Sequence, residues 1–343
     1  MEELTHTHAS AAVFSRSGLN TLFIIVLSMA EDSIVRVTSR EIHAGKIPDE
    51  VRKIFDDDLL RNSKWSREII EHDREHALIR YSFPEFKVEI LSLTPDHQIV
   101  MDDSIDFDFC FIDKKSHDRI RSVIRAGKSI KNISGQLSVI DTAFDPSGAV
   151  ITGDARFSGA LFMGDARFGD TAFSGRAEFV DAVFSDDAEF GDSIFSGGAW
   201  FYGAAFLKEA QFSGAVFSDN AWFYNATFSG DTWFDDAAFS GEARFDGSTF
   251  KGDAKFYGAK FSGVALFDHA TFSGETRFHG SIFSGFATFN DAAFSGDTVF
   301  NYAVFSGVAP FNSKMFSGSA SFDMRHYCAR HRSKVLNSQA VRR

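Results

Sequence analysis

Between Phe157 and Phe322 a phenylalanine recurs at alternating steps of five and six residues without a break, 31 in all. The first turns of this series hold Phe157, Phe168, Phe179, Phe190, Phe201, Phe212, Phe223 and Phe234 in one register, interleaved with Phe162, Phe173 and their successors in the other. Two residues before each Phe stands Ala, Ser or Thr in 30 of the 31 cases, Lys314 before Phe316 being the exception. The unit reads A-x-F-S-G-x-A-x-F-x-x, a period of eleven. The 41 Phe of the chain, against 6 Tyr and 4 Trp, therefore report a repeat and not an ordinary mixed core.

An eleven-residue period is also the signature of a right-handed coiled coil. That reading fails here on two counts. Most units carry Gly, often beside Asp or Asn, and each such Gly costs a helix about 1 kcal/mol relative to Ala. Steps averaging 5.5 would also set alternate Phe residues on opposite sides of a helix and leave no single apolar stripe. A chain that turns a corner every five or six residues fits better. Each side then points one large and one small residue inward, stacked coils pair their backbones at about 4.8 Å, and Gly, Asp and Asn supply the turns.

With one large residue and a small residue two before it, the segment resembles the pentapeptide-repeat family, over about 180 residues. The resemblance implies a right-handed quadrilateral β-helix with four sides per coil. The strict five of the family is broken here by an extra residue at every second side, as in a Phe-rich, eleven-residue branch of it. A coil is thus expected to take two periods, about 22 residues. The sequence tests this internally. Read once every second period, the extra position gives Asp165, Asp187, Glu209, Asp231, Asp253, Glu275, Asp297 and Ser319 in one register. The other register gives Arg176, Gly198, Asn220, Glu242, Val264, Phe286 and Val308. Seven of eight are acidic in the first and one of seven in the second, a separation that an eleven-residue coil would not produce.

The span then makes a rod of roughly 36 Å with a ladder of like charges along one edge. Adjacent carboxylates about 5 Å apart repel by something on the order of 1 kcal/mol per pair in water, and Arg167, Lys255 and Arg277, two residues on, relieve part of it. The ladder reads either as a solvated edge that keeps the rod soluble or as an electrostatic surface for a basic partner. A second column stands just before every second Phe: Ala172, Ile194, Val216, Ala238, Lys260, Ile282 and Val304. With Val264, Phe286 and Val308 it forms an apolar stripe, which suits a strand-like side and also suits a dimer or partner face. Trp200 and Trp222, two periods apart, stack on one side.

Residues 29–135 lack the repeat and read as a small α/β domain. A helix is expected over Asp49–Glu75, strands over Ala77–Tyr81, Phe86–Leu93 and Ile105–Ile112, and a last helix over Ser116–Ala126 with Ser116 as N-cap. Residues 136–322 form the β-helix, with Ile151 where a Phe would fall, and residues 323–343 form a basic tail. Residues 1–28 read as an extension, and Met29 followed by Ala-Glu-Asp offers an alternative start. The apolar run Leu19–Met29 is too short to span a bilayer, so a cytoplasmic protein without a membrane span is expected, its Cys110 and Cys328 reduced.

Two motif look-alikes are set aside. His72-Asp73-Arg74-Glu75-His76 fits H-x-x-E-H, but no third ligand follows on a downstream helix. Gly127-Lys128-Ser129 resembles the end of a phosphate loop, yet Ser122 stands where the leading Gly is required. No catalytic, metal or cofactor constellation assembles otherwise.

Charge is uneven. Residues 144–322 hold 22 acids against 10 bases, and residues 323–343 one acid against six bases, within a chain of net charge −12. The expected function is a non-enzymatic protein-interaction scaffold, a rigid acidic rod whose N-terminal domain selects the partner. The alternative is a DNA mimic: some pentapeptide-repeat proteins are similar in occupying the DNA-binding saddle of DNA gyrase with an acidic rod. A homodimer stays open on the apolar stripe.

Overall fold

The computed structural model describes the backbone of strands between residues 24 and 101, and residues 103–323 apart from 108–110, 113, 126–128, 137, 141 and 312–314. From Ser104 onward the chain winds through four parallel sheets of two-residue strands, making about eight coils. We name the sides faces A to D in the order the chain visits them. Face A includes Ala155–Arg156, face B Leu161–Phe162, face C Ala166–Arg167 and face D Ala172–Phe173. The partners on the next coil are Ala177, Val183, Ala188 and Ile194, so the register advances by two full periods on every face.

Phenylalanine sets this geometry. Every Phe of the repeating series from Phe157 to Phe305 is at most 2% exposed. Rings one coil apart lie face to face at the rung spacing, as Phe168 and Phe190 do at 4.9 Å and 3°. Neighbouring stacks meet edge-on, as Phe190 and Phe201 do at 5.2 Å and 87°. Both arrangements are favoured by the ring quadrupole, beyond the burial of apolar area. The small residue two places earlier, such as Ala155 or Ala166, is buried beside its ring and leaves room for it. Ile151 does stand in a Phe position, fully buried and paired with Phe173.

The five- and six-residue steps are two kinds of corner. Each five-residue corner is a tight turn closed by a backbone hydrogen bond, such as Ala160 N–H to Phe157 C=O at 3.0 Å. Its third residue has φ near +60°, and the column runs every eleven residues from Gly148 to Tyr302. Gly, Asp and Asn hold 13 of these 15 places, with His269 and Tyr302 the others. This is the left-handed region that penalises most side chains. The six-residue corners, B to C and D to A, carry the extra position.

The N-terminal end is closed by a helix. The strand Ser104–Asp106 pairs with Ile133–Ser134 on face A, and the strand Phe111–Ile112 pairs with Val139–Ile140 on face B. Helix α1 (Lys114–Arg125) then takes the place of the face C strand in this first coil. Its Ile120 and Ile124 are buried in the Phe core, and His117 lies 6.0 Å from Phe144. Burial and then Arg121 hold the His117 pKa below its usual range. On the next coil Gly135 stands where a Phe would, and the ring of Phe107 occupies the space that a side chain there would need.

Several expectations change. The strand expected over Ile105–Ile112 is two strands around a corner, so parallel stacking begins at Ser104. Helix α1 starts at Lys114, which puts Ser116 inside it and not at its N-cap. The helix expected over Asp49–Glu75 is contradicted where the chain is described: Ser66–His72 is strand β3, antiparallel to β4 (His76–Phe83). With β1 (Ile24–Ala30), β2 (Ser33–Val37) and β5 (Val88–Pro95) these strands form a sheet in the order β2-β1-β5-β4-β3. His72 and His76 thus sit on two successive strands, whereas H-x-x-E-H chemistry needs both on one helical face. Residues 1–23, 49–65, Cys110, Gly127, Lys128, Cys328 and the tail beyond Asp323 lie outside the described residues.

Replacing Phe223 by Ala removes one ring from a stack and edges from its neighbours. A loss of about 3–5 kcal/mol in unfolding free energy is expected by denaturant titration. Thr276 is the control: its buried hydroxyl has no hydrogen-bond partner, so Thr276→Val, which replaces only that hydroxyl by a methyl of similar shape, should not lower stability.

Candidate interaction surface

The acidic residues singled out by reading every second period all fall on the corner between faces B and C. Their placement has a backbone cause. Corner N–H groups lack the ladder partners that strands enjoy, and a short side-chain acceptor one coil below supplies one. Asp187 accepts the Glu209 N–H at 3.3 Å, Asp231 that of Asp253 at 3.0 Å, Asp253 that of Glu275 at 2.9 Å and Asp297 that of Ser319 at 3.2 Å. Glu275, one methylene longer, makes a two-pronged pair with Arg277 at 2.7 Å.

The diagonally opposite corner, D to A, uses the same device with different chemistry. Asn132 accepts the Asp154 N–H at 3.0 Å, Asp154 that of Arg176 at 3.1 Å and Asn220 that of Glu242 at 3.0 Å. Asn therefore serves the backbone as well as Asp. The negative charge on the B–C corner exceeds what the fold requires.

That charge is partly compensated. Arg167 pairs with Asp165 at 2.7 Å, and Lys255 reaches down to Asp231 at 3.2 Å instead of pairing with Asp253 beside it. Both carboxylates keep contact with solvent, with 29% and 39% of their side-chain surface exposed. Asp165, Asp186 and Asp187 bring carboxylate oxygens within 4.8 Å of one another. Each is already engaged, Asp165 by Arg167, Asp186 by the Asp187 N–H and Asp187 by the Glu209 N–H. A shallow groove nearby is lined by Asp187, Glu189, Asp192, Glu209 and Gln211.

Two other carboxylates are tuned by their corners. Burial raises the Asp154 pKa, but the Arg176 N–H and the Arg156 and Arg176 guanidinium groups outweigh it and hold it below the usual range. At Asp235 burial prevails over the Tyr257 N–H, with Asp236 adding repulsion, and the pKa is raised.

The apolar column lies on face D and the D–A corner, across the rod from the acids. Ile194, Val216, Val264, Ile282, Phe286 and Val308 are 36–47% exposed, while Val304 is half-buried. Trp200 and Trp222 stack at 5.6 Å on face A, around the corner. The Arg176 guanidinium sits 5.4 Å over Trp200, so Trp200 has Arg176 against one face and Trp222 against the other. The pairing of corner acids with backbone N–H groups is the feature that sequence reading missed. Its only sequence signal is the preference for Asp and Asn, whose reach is short, at the extra position.

Residues 147–304 match, in four overlapping stretches, a family model described as pentapeptide repeats (9 copies). No curated protein and no solved structure is matched by the chain. Among the described residues no helix is long and apolar enough to cross a membrane.

Asp253→Asn keeps the acceptor and should leave stability unchanged, whereas Asp253→Ala strands the Glu275 N–H and should cost about 1 kcal/mol. Asp235 gives a pH test. Its folded pKa is raised, so the charged form opposes folding at neutral pH, and that penalty fades as pH falls through the folded and then the unfolded pKa. Asp235→Asn should therefore raise the thermal midpoint at pH 7, with the gain vanishing at pH values below the ordinary carboxylate range.

Proposed function

We propose that this chain, a pentapeptide-repeat protein through residues 147–304, works as a non-enzymatic interaction scaffold whose rod offers two chemically different edges. The carrying observation is the surplus charge on the B–C corner. Asn would satisfy the backbone there as it does at Asn132 and Asn220, yet seven of eight places hold Asp or Glu. Such a rigid row costs little ordering entropy on binding and suits a basic protein surface. In this reading the N-terminal sheet selects the partner, and the protein acts in the cytoplasm.

Neutralising the edge without harming the fold tests it. Asp187→Asn, Glu209→Gln, Asp231→Asn and Asp253→Asn together should abolish capture of the partner that the unaltered chain recovers, at unchanged thermal midpoint. Undiminished capture would overturn the role of the edge. Capture by residues 103–343 as strong as by the full chain would assign selection to the rod instead of the N-terminal sheet.

A DNA mimic that engages gyrase is the second reading, favoured by the straight row of carboxylates. Charge density weighs against it. The repeat segment has 22 acids and 10 bases, a net of −12, over roughly 36 Å, about one charge per 3 Å against one per ~1.7 Å for duplex DNA. Absence of inhibition in a supercoiling assay with excess protein would sink this reading.

A further inference from the structure

The exposed apolar residues are not spread evenly along face D and its two corners. On this side the four coils covering 168–176, 190–198, 212–220 and 234–242 carry Asp170, Asp192, Asp219, Asp235, Asp236 and Glu242. The next three stretches, 256–264, 278–286 and 300–308, carry no acid at all. In their place stand Tyr257, Tyr302, Ile282, Val264, Phe286 and Val308, each 37–52% exposed. They form a grid of adjoining columns. Ile282 pairs in register with Lys260 below and Val304 above, and His279 stacks on Tyr257 at 5.2 Å and meets the edge of Tyr302 at 5.1 Å.

We infer that this three-coil stretch of face D is the contact surface of a homodimer, its occupant being a second copy of the chain. The argument is electrostatic as well as hydrophobic. A chain of net charge −12 repels its own kind wherever acids face outward. Within these three stretches no acid does; Asp235 and Asp236 border the patch one coil below, Asp323 borders it one coil above, and the acidic ladder on the B–C corner lies diagonally opposite. Two copies joined across this patch keep their ladders at the greatest separation the rod allows. The surface is also self-complementary in kind, since apolar and aromatic groups meet their like. Lys260, the one cation on it, has a long apolar stem that can lie along the interface while its amine stays in water.

Size sets the strength. Three coils stand about 14 Å tall, and nine residues wrapped over a face and its corners span about 25 Å, giving roughly 350 Å² per copy. The total of ~700 Å² falls short of the ~1,200 Å² of stable assemblies, so the dimer is weak and dissociates on dilution. Its salt dependence is distinctive. Screening removes repulsion between the two acidic rods while leaving the apolar contact intact, so association tightens as salt rises. A basic partner on the acidic edge would show the opposite trend. The dimer does not rest on the scaffold reading, which uses the other edge.

Sedimentation velocity of the full chain over a concentration series, at about 0.05 and about 0.5 M NaCl, decides it. The expected result is a monomer–dimer equilibrium that is several-fold tighter at the higher salt. Phe286→Asp and Ile282→Asp should each weaken it by about tenfold or more, with unchanged thermal midpoints because both side chains are exposed. Ile194→Asp, on the same face outside the acid-free coils, should leave it as it was. Monomer at every concentration in both salts would overturn the proposal. So would a dimer indifferent to Phe286→Asp, or one that Ile194→Asp disrupts equally.

Discussion

Ring stacking at the rung spacing is the constraint from which the rest of this molecule follows. A Phe of one coil lies flat on its counterpart in the next, at 4.6–5.3 Å along the length of the rod. The rings of adjacent faces meet edge-on, so each stack fixes the position of its neighbours. A coil one residue longer or shorter would move every following ring out of its stack. The corners must therefore absorb all the variation, and they do so in two forms: a tight turn with one left-handed residue, and a wider one with an extra residue. Because the inward set is fixed, the outward columns are fixed too, and chemistry placed at one position becomes a stripe along an edge.

The acidic edge shows how one residue meets two demands. At the B–C corner a short acceptor is needed for the backbone N–H one coil above, and either Asp or Asn provides it. The choice of Asp adds charge at no cost to the hydrogen bond, though neighbouring carboxylates then repel. Arg167, Lys255 and Arg277 offset part of that repulsion by reaching to Asp165, Asp231 and Glu275. The edge keeps its sign and its exposure. On the opposite corner the same column passes from Asn and Asp through Glu242 to Val264, Phe286 and Val308, so the rod's character changes along its length as well as around it.

Much of this was legible in the residues alone. The Phe series gave the core, and the split between acidic and non-acidic extra positions gave the coil length, because repeats expose their period in one dimension. What the sequence hid were interactions between residues far apart in the chain. The Asp231 to Asp253 N–H bond becomes visible only once the coil is closed. Phe107 filling the slot of Gly135 is of the same kind. The helix expected over Asp49–Glu75 failed for a more local reason. Strand β3 carries a bulge between Ile69 and Glu71, which breaks the two-residue alternation of S-R-E-I-I-E-H and leaves a pattern that mimics helical spacing. Helix α1 was recognised, but its place in the coil, standing in for a face C strand, was not.

The coil of two periods is the claim on which the edges, the ladder and the proposed dimer patch all stand. Pyrene attached to cysteines at two chosen positions reads it directly, at high dilution and with Cys110 and Cys328 replaced by Ser. Val216 and Ala238, two periods apart, are paired neighbours on face D, while Val216 and Thr227, one period apart, lie on opposite faces. Strong excimer emission from the Val216→Cys, Ala238→Cys pair and none from the Val216→Cys, Thr227→Cys pair is the predicted result. Excimer from the pair one period apart would mean a coil of half the length, and would contradict the account.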